Sequence, residues 1–380
     1  MGARTFDAIV IGAGMIGASV AFRLAAGGAR VAVTGGGRIA GGTSAASFAW
    51  FNSAEKRPLG YHQLNVAGMA EWRSLAEELE LGAWVHRSGG IAWAEDEAGR
   101  EALREQVARL SRWGYGVELL SPAMARRHWA PDLVFAPDRV QEVAVMPDEG
   151  WVAAVPVIHA LLERVARARG HVAAEARVTG LPRSGDRVLG VETAEGERWE
   201  AGWVVNCAGP AADRVAALAG VALPLRREPG LLIATEPVPT CLRPVVHSPA
   251  GRFRPDGAGR LLLLTDFVAP DDPVERPSPS LPPPEAAALV DRIATVLPPA
   301  RGARVEAARL GVRPMPPDGH PIVGPLLPGL YTAVTHSGIT LGPLLGRLVA
   351  AEILTGTPDP RLAPYRPDRF GTAPRSSTSA

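Results

Sequence analysis

The chain has 380 residues, too many for one ordinary domain, and the length predicts two or three. Its 40 Lys and Arg nearly balance 39 Asp and Glu, and no basic run is interleaved with aromatics, which argues against nucleic acid and leaves a small molecule as the expected partner. Two cysteines, Cys207 and Cys241, lie outside any C-x-x-C or Cys/His grouping, which argues against a disulfide framework or a structural zinc and fits a reducing cytoplasm.

"DAIVIGAGMIGASVAFRLAAGGARVAV", residues 7–33, has the layout strand, glycine turn, helix, strand. Residues 8–11 form a continuous apolar run suited to a parallel strand buried on both faces. Gly12, Gly14 and Gly17 give the spacing G-x-G-x-x-G: the first for a sharp turn, the second for approach of a pyrophosphate, the third for close packing of the helix that begins at Met15 and Ile16 with its amides facing the phosphates. The apolar start is only a strand long and lacks the charge and cleavage pattern of a signal peptide, and no stretch approaches the eighteen or so apolar residues of a membrane span. A dinucleotide fold usually presents an Asp or Glu to the ribose at the end of the second strand. In "VAVTGGGRIAGGTS" that place falls on Gly35, with the Thr34 hydroxyl and Arg38 as the nearest substitutes.

"GGTSAAS" follows, where Gly42 frees the backbone and Thr43 and Ser44 offer hydroxyls and amides at a helix start, a second cradle for phosphate. Trp50, Phe51, Tyr61 and Trp93 are candidates for an apolar pocket or for core, and Lys56, the only lysine, reads as a solvated loop residue. Residues 88–114 pair a strand with an amphipathic helix. A helix and strand follow over 157–181, then "VVNCAGP", where an apolar strand ends in Ala208 and Gly209 and lets backbone approach a ligand. "LRREPGLLIATEPV" and "GRFRPDGAGRLLLLTDF" alternate and share a D-G turn, as in an antiparallel sheet. The proline-rich stretch 269–287 reads as a surface connection ending at a helix near Glu285, and the polar tail 371–380 as disordered. "LGVRP" sets Arg313 before a proline that keeps the chain extended. "THSGITLGPLLGRLVAAEIL" gives a glycine turn and a helix with Leu341, Leu344, Leu345 and Leu348 toward the core.

Four blocks, "VIGAGMIGASVAFRLA", "GGTSAASFAWFN", "VVNCAGPAADRVAALAGV" and "RLGVRPMPPDGHPIVGPLLPGLYTAVTHSGITLGPLLGRLVA", stand in the order and spacing of a known family. The chain resembles the D-amino acid oxidase, glycine oxidase and sarcosine oxidase superfamily of FAD-dependent amine oxidoreductases. The resemblance implies an α/β fold: a Rossmann-like, doubly wound FAD domain from residues 1–85, 150–220 and 309–370, and a smaller antiparallel substrate domain from 86–149 and 221–308. It also implies that Gly12, Gly14, Met15, Ile16, Gly17, Thr34, Gly35, Arg38, Gly42, Thr43, Ser44, Val178, Ala208, Gly209, Gly338, Ile339, Thr340 and Leu341 border FAD. Arg313 would anchor a substrate carboxylate, and His336 and Ser337 would lie on the substrate side of the flavin. The implied reaction is hydride transfer from an amino acid or N-alkyl amino acid to flavin N5. The cysteine and histidine used for flavin attachment in two branches are absent from "RLGVRPM" and "GGTSAAS", so the FAD is expected to be noncovalent.

Two features depart from the family. Gly35 replaces the ribose acid, which removes about 1.5–3 kcal/mol of charged hydrogen bonding, and restoring it as Gly35→Glu is expected to tighten FAD about tenfold. Ala153 stands where "GWVDP" commonly carries Asp. These departures keep two alternatives open: a non-catalytic or weakly FAD-binding descendant acting as a binding protein, and an NADP-binding enzyme.

Overall fold

The computed structural model describes residues 4–266 and 284–371. Most of the proline-rich connection and the tail beyond Gly371 lie outside the described residues.

Strand β1 (Arg4–Ile11) lies at the centre of the first sheet, because its residues 8–11 are apolar on both faces and all but inaccessible. It pairs in parallel with β2 (Val31–Thr34) on one side and with Arg198–Asn206 on the other. His171–Ala173 continues the parallel order beyond β2, and Leu330–Val334 continues it beyond Arg198–Asn206. Antiparallel strands Gly190–Thr193 and Ile322–Leu327 border this parallel core. Ala8 and Val10 face a layer of helices, Met15–Ala26 (α1), Leu59–Glu78, Ala154–Arg167 and Gly338–Thr355, while Ile9 and Ile11 face a smaller core with Val191, Trp199 and Ala212. The period of two along one strand thus serves two layers, the arrangement of a doubly wound fold.

The second sheet is mostly antiparallel, and its longest pairing joins Arg226–Thr235 to Val305–Met315. Leu231, Ile233, Leu261 and Leu263 pack beneath the helix Pro284–Ala294. The alternate residues face the first sheet's side: a Cβ on Gly311 would come 2.6 Å from the Ala46 carbonyl oxygen. Strand Val305–Met315 runs unbroken through the domain boundary expected at residue 309, so the passage between sheets falls after Met315. A third sheet of three short strands, Trp50–Phe51, Gly150–Val152 and Val85–His86, belongs to neither.

Helix Gly338–Thr355 is, by length and composition, long and apolar enough to cross a membrane, against the sequence expectation, but more than half of it is buried within the fold. Leu341, Leu344, Leu345 and Leu348 are all core residues. Small residues let it cross α1 closely: a Cβ on Gly342 would stand 2.6 Å from Met15 Cγ, and one on Gly346 would stand 2.7 Å from Ser19. The crossing brings the N-termini of the two helices together.

Candidate active site

At the first N-terminus, Gly12 adopts φ +118° and a Cβ there would strike the Cys207 carbonyl; a Cβ on Gly17 would strike the Gly12 carbonyl. Gly14 differs, because only Ser44 Oγ, at 3.2 Å, comes near the Cβ it lacks. Helix α1 begins without a side-chain cap, and the Met15 amide donates to Ser44 Oγ at 3.2 Å. The first-turn amides therefore face a space rimmed by Gly42 and Ser44, where the helix dipole favours an anion. Thr43 acts differently: its hydroxyl donates to the Val312 carbonyl at 2.5 Å and ties this rim to the second sheet. Ala208 closes the strand Arg198–Asn206, its amide held by Asn206 Oδ1, and Gly209 (φ +56°) has no atom within 4 Å of where a Cβ would stand.

At the position where the sequence leads one to expect a ribose, the substitutes fall away. Thr34 is fully buried and its hydroxyl donates to the Ala176 carbonyl, so it offers the ribose nothing. Gly35 has an ordinary φ, yet a Cβ there would stand 2.7 Å from the Ala174 carbonyl oxygen, because residues 35–37 are hydrogen-bonded alongside 174–176. Val178, two residues past Ala176, begins the strand Val178–Gly180, which pairs with Gly190–Thr193 and packs against the smaller core. Arg38 is exposed.

At the second N-terminus, Gly338 lies against Ile16, with 3.5 Å between a Cβ and Ile16 Cδ1. Pro343 has no N–H to give the Ile339 carbonyl one turn back. The indole of the fully buried Trp72 donates to that carbonyl instead, at 2.8 Å. Thr340 Oγ1 accepts from the Asn52 amide at 3.3 Å, and Leu341 is completely buried. Ser337 precedes the helix, but its hydroxyl is bonded to Tyr61 OH at 2.7 Å, so it positions the turn and does not stand open to a substrate.

His336 remains open. Its Nδ1 is buried without a hydrogen-bond partner among the described residues, and burial, reinforced by the nearby Lys56 and Arg313 cations, pulls its pKa down to about 4. The ring is neutral at pH 7. Arg313 projects from Val305–Met315 beside Glu228, donating to the Glu228 carbonyl at 3.3 Å and to Asp266 Oδ1 at 3.2 Å. Asp266 is 83% exposed, so this ion pair is weak and exchangeable. Lys56 is not a solvated loop lysine: it is half-buried, and burial lowers its pKa. Of the four aromatics, Phe51 lies near Trp72 in the core, Tyr61 holds Ser337, Trp93 packs edge-on against Phe135, and Trp50 lies 4.1 Å from the His247 ring. Asn52 and Trp72 were not singled out from the sequence, and Lys56 was assigned there to solvent. Only Trp72 had a signal, the proline inside a helix that leaves a carbonyl to be satisfied.

A family profile described as FAD dependent oxidoreductase matches residues 7–352. The chain belongs to this DAO family. The chain is 28% identical over 360 residues to glycine oxidase of Geobacillus kaustophilus (strain HTA426), covering 91% of this chain and 92% of the relative. It is 25% identical over 376 residues to an opine oxidase subunit of Agrobacterium tumefaciens (strain Ach5), covering 96% and 97%. The crystal structure of glycine oxidase from Geobacillus kaustophilus superposes with a TM-score of 0.83 at 25% identity, over 96% of this chain and 99% of that one. L-proline dehydrogenase from P. horikoshii shares the fold, with a TM-score of 0.85 at 20% identity over 97% and 98%.

The cofactor of this family is FAD, and the residues present fit it. The uncapped α1 amides, Gly14, Gly42 and Ser44 suit the pyrophosphate. The N-terminus of Gly338–Thr355 suits the electron-rich end of the flavin ring. The fit is poorest at the adenosine ribose, where backbone replaces the carboxylate. The chain is thus an FAD-dependent oxidoreductase acting on amino-acid-like substrates.

Proposed function

We propose that this protein oxidises the C–N bond of an amino acid or N-alkyl amino acid, the carboxylate held by Arg313 and the α-carbon placed beside His336. The observation that carries this reading is the exchangeable Arg313 guanidinium acting, with Lys56, on a neutral histidine whose Nδ1 has no partner among the described residues. The chemistry that FAD supplies when bound is hydride acceptance at N5. Arg313 releases Asp266 and takes the substrate carboxylate, a planar match for two parallel hydrogen bonds. His336 offers a hydrogen bond without charge, and the N-terminus of Gly338–Thr355 would stabilise negative charge on a flavin ring held beside it. No proton-abstracting triad is needed when the amine arrives uncharged.

The test is reconstitution with FAD and a screen of glycine, sarcosine, L-proline and iminodiacetate, with oxygen and a dye as alternative acceptors. Turnover of at least one is expected, with flavin released by acid from the polypeptide. Arg313→Ala is expected to raise KM for that substrate about 10- to 100-fold, the loss of one charged bidentate contact, with FAD content unchanged. Unaltered kinetics would remove Arg313 from the site, and a protein that stays colourless with no thermal shift at high FAD would favour a non-catalytic role.

A further inference from the structure

Glu149 lies in none of the four blocks and is completely inaccessible to solvent. It immediately precedes the strand Gly150–Val152. Its Oε1 accepts from Tyr115 OH at 2.6 Å, from the Ser53 amide at 3.2 Å and from the Ala54 amide at 3.1 Å, and its Oε2 accepts from Trp50 Nε1 at 3.1 Å. Three of these four donors are N–H groups that cannot turn round and accept, and a carboxylate, accepting through both oxygens, satisfies all four without bringing a competing donor. Those three belong to residues 50–54. The same stretch carries Asn52, bonded to Thr340 at the start of the flavin-facing helix. Lys56 follows in the turn closed by its amide on the Ser53 carbonyl at 3.1 Å.

We infer that Glu149 is a positioning residue of the active site: its carboxylate fixes the path of residues 50–56 and thereby sets Asn52 on Thr340 and Lys56 near His336. For its effect on turnover the inference rests on the proposed amine-oxidising reading; for the anchoring itself it does not. A neutral group in this place would leave donor facing donor. The groups around the carboxylate are Tyr115, which follows the helix Glu97–Arg112, Glu55 and Lys56 on the anchored stretch, Asp148 beside it in the chain, and His62, reached through Ser53 Oγ at 2.9 Å. Burial first, and Glu55 to a lesser degree, push the Glu149 carboxyl up to about 7 against the pull of its hydrogen bonds. A proton taken up there places an O–H where the anchored stretch needs an acceptor.

The experiment uses the full chain loaded with FAD. Glu149→Gln should raise hydrogen exchange of a peptide covering residues 50–58 by about tenfold or more while a peptide covering 12–26 is unchanged. It should raise KM for the amine substrate about tenfold with FAD affinity within about twofold. The wild type should lose kcat/KM as pH falls through about 7, a limb that the variant, already in the neutral state, should lack. Unchanged exchange over 50–58 overturns the anchoring whatever the substrate proves to be. Raised exchange with unchanged KM and a retained limb overturns the role in the active site. If Glu149→Gln does not fold, Tyr115→Phe removes one donor and keeps the acid, and the limb should move to higher pH; a limb that stays in place overturns the inference. Absence of turnover in the wild type refutes the proposed function alone and leaves the exchange result to decide this one.

Discussion

Replacing Gly35 with glutamate restores the missing ribose acid on paper, but the backbone leaves it no room. The Cβ would stand 2.7 Å from the Ala174 carbonyl oxygen, and one of the two hydrogen-bonded segments must shift to admit it. The expected outcome, contrary to the tightening that the sequence suggests, is a lower melting temperature for the cofactor-free protein, with a loss of about 1–3 kcal/mol, and no gain in FAD affinity. Thermal melts with and without FAD decide between the two. Gly36 is the control: among the described residues the only atom within 4 Å of a Cβ there is Arg177 Cγ at 3.9 Å, and Gly36→Glu should leave the melt unchanged. At this scale the glycines of the phosphate turn were legible because their spacing encodes backbone geometry. Glu149 and Asn52 were not, and Lys56 was given to solvent. Each acts through neighbours distant in sequence, and a lone acid, lysine or asparagine carries no spacing of its own.

The C-terminal helix shows how one element rests on another. Pro343 removes the amide that would reach the Ile339 carbonyl, and Trp72 on Leu59–Glu78 supplies the missing donor. Trp72→Phe keeps most of the packing and strands a buried carbonyl, so unfolding should cost about 1–3 kcal/mol less in a denaturant titration, and FAD should be held less tightly at the flavin end. A stability within error of the wild type would mean that water replaces the indole. Helix Ala154–Arg167 has the opposite defect. Its N-cap is Ala153, which makes no side-chain hydrogen bond, where the family commonly carries Asp. Ala153→Asp should stabilise the fold by about 0.5–2 kcal/mol, read from the same titration. Elements with a strong period were legible, and the amphipathic helix Glu97–Arg112 and the hairpin through Asp256–Gly257 stand where the pattern put them. The three-stranded sheet was not, because two- and three-residue strands are too short to show a period.

For the whole molecule, buried titratable groups set the response to acid. His336 and His247 are each pulled from 6.5 down to about 4, mainly by burial. The unfolded chain therefore binds more protons than the folded one between those values, and stability drains away as pH falls from about 6.5 to 4, by at most on the order of 3 kcal/mol for each ring. Glu149 works in the other sense: with its carboxyl raised from 4.5 to about 7, it costs stability as pH rises through that interval. The two trends oppose each other. Removing one ring exposes the balance, and cofactor-free His336→Asn should lose less melting temperature than the wild type between pH 6.5 and 4. An equal loss would show that the ring titrates normally. The two-layer plan was legible from the alternation of pattern types along the chain, whereas the change of sheet after Met315 was hidden by a strand that runs straight through it.

The order of strands in the first sheet also carries a timetable. The phosphate turn is complete at Gly17, but its wall includes Arg198–Asn206, and the helix that crosses it does not begin until Gly338. At about 5–20 residues per second, a nascent chain carries its glycine turn for on the order of half a minute before the other half of the cofactor site leaves the ribosome. Flavin capture is thus a late event in the life of each molecule. A chain that stops short of Gly338 keeps the most recognisable motif in the sequence and still lacks a place for the ring.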